Sequence, residues 1–161
     1  MTTEFAIRLM TPTDANRLEE IVDLSFSRFL GFFAIRSLHE EGQVLVSEIQ
    51  ETVVGFAKLI GFQVGGVKFG CILWLAVHPN VRRKGIATTL LTAGTKSLKA
   101  EGAKAIFASV QKRNIASLTV FDKRGFRKMS FVELWRLFSW RIFEFYGDIW
   151  HAPGEIVLIH D

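Results

Sequence analysis

The sequence contains one cysteine, Cys71, and no long apolar run. One cysteine cannot form a disulfide within the chain, and no spacing typical of a metal site is visible in the sequence. No apolar stretch approaches the roughly 20 residues that a membrane-spanning helix requires. Residues 1–10 include Glu4 and Arg8 and lack the apolar centre of a signal peptide. We therefore expect a cytoplasmic protein that binds no metal and does not act at a membrane.

Two widespread phosphate-binding motifs are also absent from the sequence. There is no G-x-x-x-x-G-K-[ST] stretch, with which nucleotide triphosphatases hold phosphates. There is no G-x-G-x-x-G followed about 20 positions later by an acidic residue, which is typical of dinucleotide-binding domains. Neither of these two classes of phosphate site is expected.

The composition is typical of a folded globular chain. Of the 161 residues, 49% are hydrophobic and 22% are charged, which suits one domain with one core over residues 1–161. The formal net charge of +4 favours an anionic ligand. The Lys and Arg residues are scattered along the sequence rather than clustered, so nucleic acid is not expected as the main partner.

Residues 74–91 carry the strongest indication of a ligand site. An apolar run ends at His78-Pro79, and a short basic loop, Arg82-Arg83-Lys84, follows it. Gly85-Ile86-Ala87 then begins a segment of helical character. The first N–H groups of a helix have no partners within the helix and attract an anion, and glycine lets the backbone approach that anion closely. The arrangement predicts a site for a pyrophosphate-bearing ligand.

The residue patterns predict an α/β (α+β) fold with a mixed, mostly antiparallel sheet. Strands are expected over residues 3–9, 44–49, 53–62, 67–77, 105–110 and 156–159 and from Phe126, with a hairpin turn at Gly65-Gly66. Helices are expected after a cap at Thr13 or Asp14, over 26–38 and 87–100, and from Asn114 to about Arg124. Residues 132–146 are rich in aromatic side chains and fit neither the strand period nor the helix period.

Two motifs of the sequence match those of a known family. The first, Arg/Gln-x-x-Gly-x-Gly/Ala, is present from Arg82 to Ala87. The second, Asn-x-x-Ala-x-x-x-Tyr-x-x-x-Gly-Phe, corresponds to residues 114–126. The two lie about 30 residues apart in suitable strand and helix contexts, which makes the pair more specific than either motif alone. The chain therefore resembles the GNAT superfamily of acyl-CoA-dependent N-acetyltransferases, and within it the ribosomal-protein alanine and protein N-terminal acetyltransferases.

The resemblance implies a GNAT-like sheet with splayed central strands and flanking helices, and acetyl-CoA as the co-substrate. The backbones of Leu75, Ala76 and Val77 would pair with the pantetheine arm, and the N–H of Val77 would polarise the thioester carbonyl. Asn114 would either bind the pantetheine amide or cap its own helix. An amine would attack the thioester directly in a ternary complex. The pyrophosphate would be wrapped by Arg82, Arg83, Lys84, Gly85, Ile86 and Ala87.

The sequence departs from the family at both usual proton-transfer positions. Phe121 stands at a cofactor-binding position where the family has a tyrosine that acts as general acid, and phenylalanine has no hydroxyl. Ser109 stands where the ribosomal-protein alanine acetyltransferases carry a glutamate, and residues 67–76 contain no acidic residue. Without a strong base, an acceptor of low pKa, such as an α-amine, would react more readily than a lysine.

The C-terminal segment offers replacement groups. Tyr146, the only tyrosine, is a candidate catalytic residue, with packing as the alternative, and Asp148 and His151 lie close to it in the sequence. Glu133 and Glu155 are weaker candidates. Ser109 is expected to pack or bind water, because no His–acid pair is evident beside it.

Two other reactive side chains have simple expected roles. His78 either faces the active cleft or caps the strand end at the surface. Cys71 is expected to be a buried strand residue, because free cysteine is usually buried and no activating group is evident near it.

Aromatic residues are concentrated in the two segments that line the acceptor site in the family, residues 26–38 and 140–151. Such side chains are usually core residues, whereas an exposed surface there would serve an apolar or peptide acceptor or a homodimer interface. We expect the acceptor to be a peptide N-terminus or a small amine. Two alternatives stay open: an acyl-CoA-binding module without catalysis, and a partner-binding or membrane-surface protein that uses residues 135–146.

Overall fold

The computed structural model describes residues 4–161. The α-helices are α1 (Ala15–Ser25), α2 (Arg28–Leu38), α3 (Ile86–Ala100), α4 (Ile115–Lys123), α5 (Phe131–Phe138) and α6 (Ile142–Asp148). Short 3-10 turns cover Pro12–Asp14, Pro79–Val81 and Ser139–Arg141. The strands are β1 (Ala6–Leu9), β2 (Gln43–Ile49), β3 (Thr52–Val64), β4 (Val67–Val77), β5 (Ile106–Gln111), β6 (Arg127–Lys128) and β7 (Glu155–His160).

These strands are ordered β1-β2-β3-β4-β5-β7-β6. The ladders β1·β2, β2·β3, β5·β7 and β6·β7 are antiparallel, whereas β4 and β5 pair in parallel. The parallel register aligns Gly70 with Ile106 and Ile72 with Ala108. Ser109 follows directly after the last of these pairs. The mixed, mostly antiparallel sheet that the sequence predicts is therefore confirmed.

Most predicted elements lie within a few residues of the observed ones, and the differences arise at caps. The first strand begins at Ala6, and the predicted start at Thr3 lies outside the described residues. Helix α2 begins at Arg28 rather than at Phe26, because the Ser27 side chain accepts a hydrogen bond from the Leu30 N–H. The Gly65-Gly66 hairpin turn is confirmed, with φ values of 59° and 79°.

The ambiguous segment 132–146 contains two helices, α5 and α6. Ser130 and Glu133 form a capping box at the start of α5. The helix then stops at Ser139, whose φ of 50° is incompatible with continued helix. A break in the middle of the segment resets the helical phase, so one period cannot describe the whole stretch.

The described residues form two compact units, and the first comprises the chain up to Leu59 together with Trp74–Gly94. In this unit, the apolar faces of α1 and α2 pack against strands β2 and β3 and the end of β4. Its buried core consists of Leu18, Ile21, Val22, Ala34, Leu38, Val44, Val46, Val53, Phe56 and Ala76.

The second unit comprises Ile60–Leu73 and Thr95–Asp161. Helices α5 and α6 cover one face of its strands with an aromatic core. Phe107 lies 4.8 Å from Phe145 and Phe145 lies 4.4 Å from Phe138, measured between ring centroids. Cys71 is fully buried in this core, as expected. That the whole chain folds as one domain stays a prediction.

No helix among the described residues is both long enough and apolar enough to cross a membrane.

Close packing at Gly70 provides a test of the second unit. A Cβ atom at Gly70 would lie 3.0–3.1 Å from three side-chain atoms of Leu98, which is itself buried. We expect Gly70→Ala to destabilise the protein by about 1–3 kcal/mol, because a packed interior resists added volume. Urea unfolding measures the change.

The matched control is Gly61→Ala in β3, where the nearest atom, Lys68 Cε, would lie at an ordinary 3.6 Å. This variant is expected to change the stability little. Equal stability of the two variants would contradict the packing argument.

A bidentate ion pair anchors the end of β1. Arg8 Nη1 and Nη2 donate to the two carboxylate oxygens of Asp14 at 2.8 and 3.0 Å, and the Thr11 N–H also donates to Asp14 at 2.8 Å. Asp14 is 7% exposed. The hydrogen bonds from Arg8 in particular lower the pKa of Asp14 to about 2.

The lowered pKa predicts how stability depends on pH. A carboxyl group with a depressed pKa in the folded state stabilises the protein above its unfolded pKa of about 3.9, and this contribution is lost as the pH falls through about 2. We expect Asp14→Asn to cost about 2 kcal/mol at pH 7 and much less at pH 2.5. Urea unfolding at both pH values tests this, with Glu20→Gln, an exposed ion-pair partner of Arg17, as the control.

Candidate functional site

His78 orders the turn between β4 and α3. Its backbone N–H donates to the Val54 carbonyl at 2.7 Å, which ends the pairing of β4 with β3. Its Nδ1 accepts a hydrogen bond from the Asn80 N–H at 3.2 Å and so caps the 3-10 turn Pro79–Val81. Of the two expected roles for His78, the structure shows the cap.

No side chain among residues 4–161 hydrogen-bonds to the first backbone N–H groups of α3. The first α-helical hydrogen bond joins the Thr89 N–H to the Gly85 carbonyl at 3.0 Å, so the N–H groups of Ile86, Ala87 and Thr88 lie before it. Gly85 has a φ of 80°, and a Cβ at this position would meet nothing within 4 Å. Because glycine has no side chain to occupy these donors, they are available to an anion.

The three basic residues of the loop have different environments. Arg82 Nε donates to the Val77 carbonyl at 2.9 Å, and Arg82 Nη2 lies 3.4 Å from Ser25 Oγ. Arg82 therefore fixes the turn to the end of β4, a role that the sequence did not predict. The side chains of Arg83 and Lys84 are exposed, and Arg83 has a φ of 63°. These two are the cations best placed to approach a ligand.

The Val77 backbone points away from β3. The N–H and C=O of one strand residue share a side, and the next residue uses the opposite side. The Ala76 carbonyl oxygen would lie 3.0 Å from a Cβ at Gly55 in β3, and the His78 N–H donates to β3. Val77 lies between these residues, so its N–H is directed away from β3. The half-buried Leu75 precedes this pair in the same strand.

In the second unit, Asn114 and Phe121 have structural roles. The Asn114 Oδ1 accepts a hydrogen bond from the Ser117 N–H at 3.1 Å and caps α4. The Phe121 side chain is 3% exposed, and its ring packs edge-to-face on Phe126 at 5.0 Å. The expected cap is thus observed, and contacts of Asn114 and Phe121 with the cofactor stay predictions.

A hydrogen-bonded cluster joins Ser109, His151 and Glu155 in the second unit. Ser109 Oγ lies 2.7 Å from His151 Nδ1 and 2.6 Å from Glu155 Oε2. The Ala152 N–H also donates to Glu155 Oε2, at 2.9 Å. The β5·β7 register pairs Ser109 with Val157, so Ser109 and Glu155 are diagonal neighbours on one face of the sheet.

Tyr146 and Cys71 complete the surroundings of this cluster. The rings of Tyr146 and His151 stack with centroids 4.7 Å apart, and burial raises the pKa of Tyr146. Burial lowers the pKa of His151, although the Glu155 carboxylate partly opposes this shift. Burial, reinforced by Glu155, raises the pKa of Cys71 well above its usual range, so the thiol is not an activated nucleophile.

Sequence reasoning missed this cluster, because it found no His–acid pair beside Ser109. The pair exists, but its members lie 42 and 46 residues from Ser109. The only indication in the local sequence was that a histidine and an acid, His151 and Glu155, lie four positions apart. The packing of Tyr146 is observed, whereas its catalytic role stays a prediction.

The two aromatic segments are only partly buried. In the first unit, Phe29 and Phe32 of α2 are 71% and 62% exposed. In the second unit, Phe145 is fully buried, but Trp140 and Phe143 are exposed. The expectation that these aromatics are mainly core is therefore wrong for much of the set.

Comparisons with known proteins agree with the motifs. The profile of the acetyltransferase (GNAT) family matches residues 9–126. The N-alpha-acetyltransferase of Saccharolobus solfataricus is 28% identical over 137 residues, which cover 78% of this chain and 82% of that protein.

Solved structures share the fold. A GNAT-family protein from Desulfovibrio desulfuricans superposes with a TM-score of 0.75 at 15% identity and covers 98% of this chain and 99% of its own. The PaiA N-acetyltransferase of Thermoplasma acidophilum, solved in complex with coenzyme A, gives a TM-score of 0.69 at 16% identity, with 98% and 99% coverage. With the family profile matched over most of its length, this chain belongs to the acetyltransferase (GNAT) family and is an N-acetyltransferase with acetyl-CoA as its co-substrate.

Proposed function

We propose that the protein transfers the acetyl group of acetyl-CoA to the α-amine of a peptide. The amine attacks the thioester directly, in a ternary complex with both substrates. The observation that carries this proposal is the uncapped start of α3 beside the end of β4, where the Val77 N–H points away from β3. The first feature suits a pyrophosphate, and the second suits the oxygen of a thioester carbonyl.

The cofactor contacts follow from this geometry. The N–H groups of Ile86, Ala87 and Thr88 would donate to the pyrophosphate, with Arg83 and Lys84 adding positive charge. The Val77 N–H would donate to the carbonyl oxygen, and this bond strengthens as negative charge develops during attack. Leu75 and Ala76 would pair with the pantetheine arm.

Direct attack is favoured over a covalent acetyl-enzyme. The single cysteine, Cys71, is fully buried, and its raised pKa keeps the thiol protonated. A buried neutral thiol is a poor nucleophile. This argument removes the cysteine as a carrier, and in the proposed mechanism the acetyl group passes directly from sulfur to nitrogen.

An α-amine is the acceptor best suited to this chain. At pH 7 roughly a tenth of an α-amine of pKa about 8 is neutral, compared with about 0.04% of a lysine of pKa about 10.4. The exposed rings of Phe29 and Phe32 offer an apolar surface for a peptide. The name N-alpha-acetyltransferase of the relative from Saccharolobus solfataricus supports the same acceptor.

A thermal-shift titration tests the cofactor site. Acetyl-CoA at 100 times its dissociation constant is expected to add about 2.7 kcal/mol, or roughly 5–11 °C for a chain of this size. Gly85→Glu places a carboxylate at the predicted pyrophosphate site and should abolish the shift.

The matched control is Gly102→Glu at the other end of α3. Gly102 has a φ of 93° and equally open surroundings, so the backbone strain is comparable. This variant should keep the shift. A folded wild-type protein that shows no thermal shift with acetyl-CoA would contradict the proposed site. Equal loss of the shift in both variants would indicate that backbone strain, rather than the introduced carboxylate, prevents binding.

A panel of peptides tests the acceptor. We expect faster turnover on a peptide with a free α-amine than on the same peptide with a blocked N-terminus and one lysine. Binding of acetyl-CoA without turnover on any amine would indicate an acyl-CoA-binding module instead. Faster turnover on lysine would contradict the α-amine proposal.

The same assay examines the exposed face of α2. Phe29→Ser and Phe32→Ser are expected to raise the KM for the peptide and to leave the acetyl-CoA shift unchanged. Phe131→Ser on α5, a residue that is 60% exposed, provides the control and should leave the KM unchanged.

A further inference from the structure

The three cations of the turn between β4 and α3 differ in what they contact. Arg82, Arg83 and Lys84 are all exposed, so exposure does not distinguish them. In the described part of the chain, the side chains of Arg83 and Lys84 have no hydrogen-bond or ion-pair partner. The Arg82 side chain has two partners, the Val77 carbonyl and Ser25 Oγ. Arg82 is therefore bonded to the protein itself, whereas the other two cations are free to meet an anion.

The first partner of Arg82 lies on the ligand side of β4. The N–H and C=O of one strand residue share a side, and for Val77 this side faces away from β3. Arg82 Nε donates to the Val77 carbonyl at 2.9 Å, so the guanidinium occupies the hydrogen-bond acceptor on that side. The Val77 N–H is then the group that a ligand meets there. The hydrogen bond from Arg82 thus fixes the chain immediately after the proposed thioester donor.

The second partner of Arg82 lies at the end of α1. Arg82 Nη2 lies 3.4 Å from the Oγ of Ser25, the last residue of this helix. A separate contact joins the same two places, because the ring of Phe26 packs edge-to-face on Trp74 of β4, with centroids 5.3 Å apart. All of these residues belong to the first unit. The junction between α1 and α2 is therefore held beside β4 by a guanidinium and by an aromatic pair.

We propose that Arg82 is a positioning residue for acetyl transfer, which holds the end of β4 and the end of α1 in place through hydrogen bonds from its guanidinium. The proposal rests on the proposed function, because Arg82 acts through the Val77 N–H as the donor to the thioester carbonyl. The charge of the pyrophosphate is then met by Arg83 and Lys84. The sequence motif places all three cations in one loop and does not make this distinction.

A small displacement of a donor has a large effect on a reaction rate. Loss of one donor to a developing oxyanion lowers kcat by about 10²–10³-fold, and a misplacement of about 1 Å can cost about 10²-fold. Without Arg82 the Val77 carbonyl would have to bond to water, and the end of β4 could move. The Val77 N–H would be kept but less well aligned, so we expect a loss of about 10–100-fold in kcat.

Three substitutions of Arg82 separate its hydrogen bond from its charge. In Arg82→Gln the side-chain nitrogen stands at the same place along the side chain as Arg82 Nε, so the donor to Val77 is kept and the charge is lost. In Arg82→Lys the charge is kept, but a carbon stands at the place of Nε. Arg82→Met keeps neither property.

The expected order of kcat, measured at saturating acetyl-CoA, follows from the hydrogen bond. Arg82→Met should lose about 10–100-fold, and Arg82→Gln should be closer to the wild-type protein than Arg82→Lys is. An unchanged kcat in Arg82→Met would overturn the proposal. A kcat that lysine restores and glutamine does not would also overturn it, because charge would then be the property that matters.

Arg83→Met is the matched comparison, since it removes a neighbouring cation that has no partner in the described part of the chain. Its effect should appear in the affinity for acetyl-CoA, measured by thermal-shift titration, and should diminish as the salt concentration rises. Arg82→Gln should weaken acetyl-CoA much less. Equal weakening in the two variants would make the pyrophosphate the partner of Arg82 and would overturn the proposal.

A double-mutant cycle tests the link to α1. Ser25→Ala removes the second partner of Arg82 and should raise the KM for the peptide more than it lowers kcat, because α2, which carries the proposed peptide surface, follows this junction. In Arg82→Gln, which lacks the Nη2 atom, Ser25→Ala should have no further effect. No effect of Ser25→Ala in the wild-type protein, or an equal effect in both backgrounds, would overturn this link.

A measurement without ligand separates this proposal from the proposed function. The His78 N–H, whose bond to the Val54 carbonyl ends the pairing of β4 with β3, should exchange its hydrogen faster in Arg82→Met. Unchanged exchange would overturn the role of Arg82 in holding the strand end. An active wild-type enzyme whose kcat is unaffected by Arg82→Met overturns the positioning role alone. A wild-type protein without acetyl-CoA thermal shift or turnover overturns the proposed function, and the positioning role with it.

Discussion

The backbone donors at the start of α3 are the constraint on which the candidate site depends. Gly85 contributes no side chain to cap them, and the N–H groups of Ile86, Ala87 and Thr88 precede the first hydrogen bond of the helix, so they are available to solvent or to an anion. The side chains of His78 and Arg82 form hydrogen bonds that hold this turn against the end of β4. The backbone of the basic loop is thereby held at the end of β4, which would lower the entropy cost of binding a ligand there.

In the second unit, a small polar cluster is placed at the margin of an aromatic core. Polar groups in such a position must find partners, because desolvation without hydrogen bonds is costly. Ser109, His151 and Glu155 satisfy one another, and a single shared hydroxyl fixes which atoms donate and which accept.

Acetyl transfer to an α-amine makes modest demands on proton-transfer groups. A thiol of ordinary pKa near 8.5 leaves readily as a thiolate, so the missing hydroxyl at Phe121 removes little that the reaction requires. An α-amine is also neutral often enough near pH 7 to attack without a strong base. The absence of the family's tyrosine at Phe121 and of the glutamate at Ser109 is therefore compatible with catalysis when the acceptor is an α-amine.

The sequence by itself determined the features that arise from near neighbours. The turn from β4 to α3, the Gly65-Gly66 hairpin and the Asn114 cap depend on residues a few positions apart, so local patterns were sufficient to predict them. The segment 132–146 was not predictable from one period, because the positive φ at Ser139 interrupts the helix. Only the tertiary structure decided the environment of Ser109, since strand pairing and the return of the chain after α6 bring together groups more than 40 residues apart. It also decided which aromatic rings are exposed, because burial depends on the packed neighbours of a helix rather than on its composition.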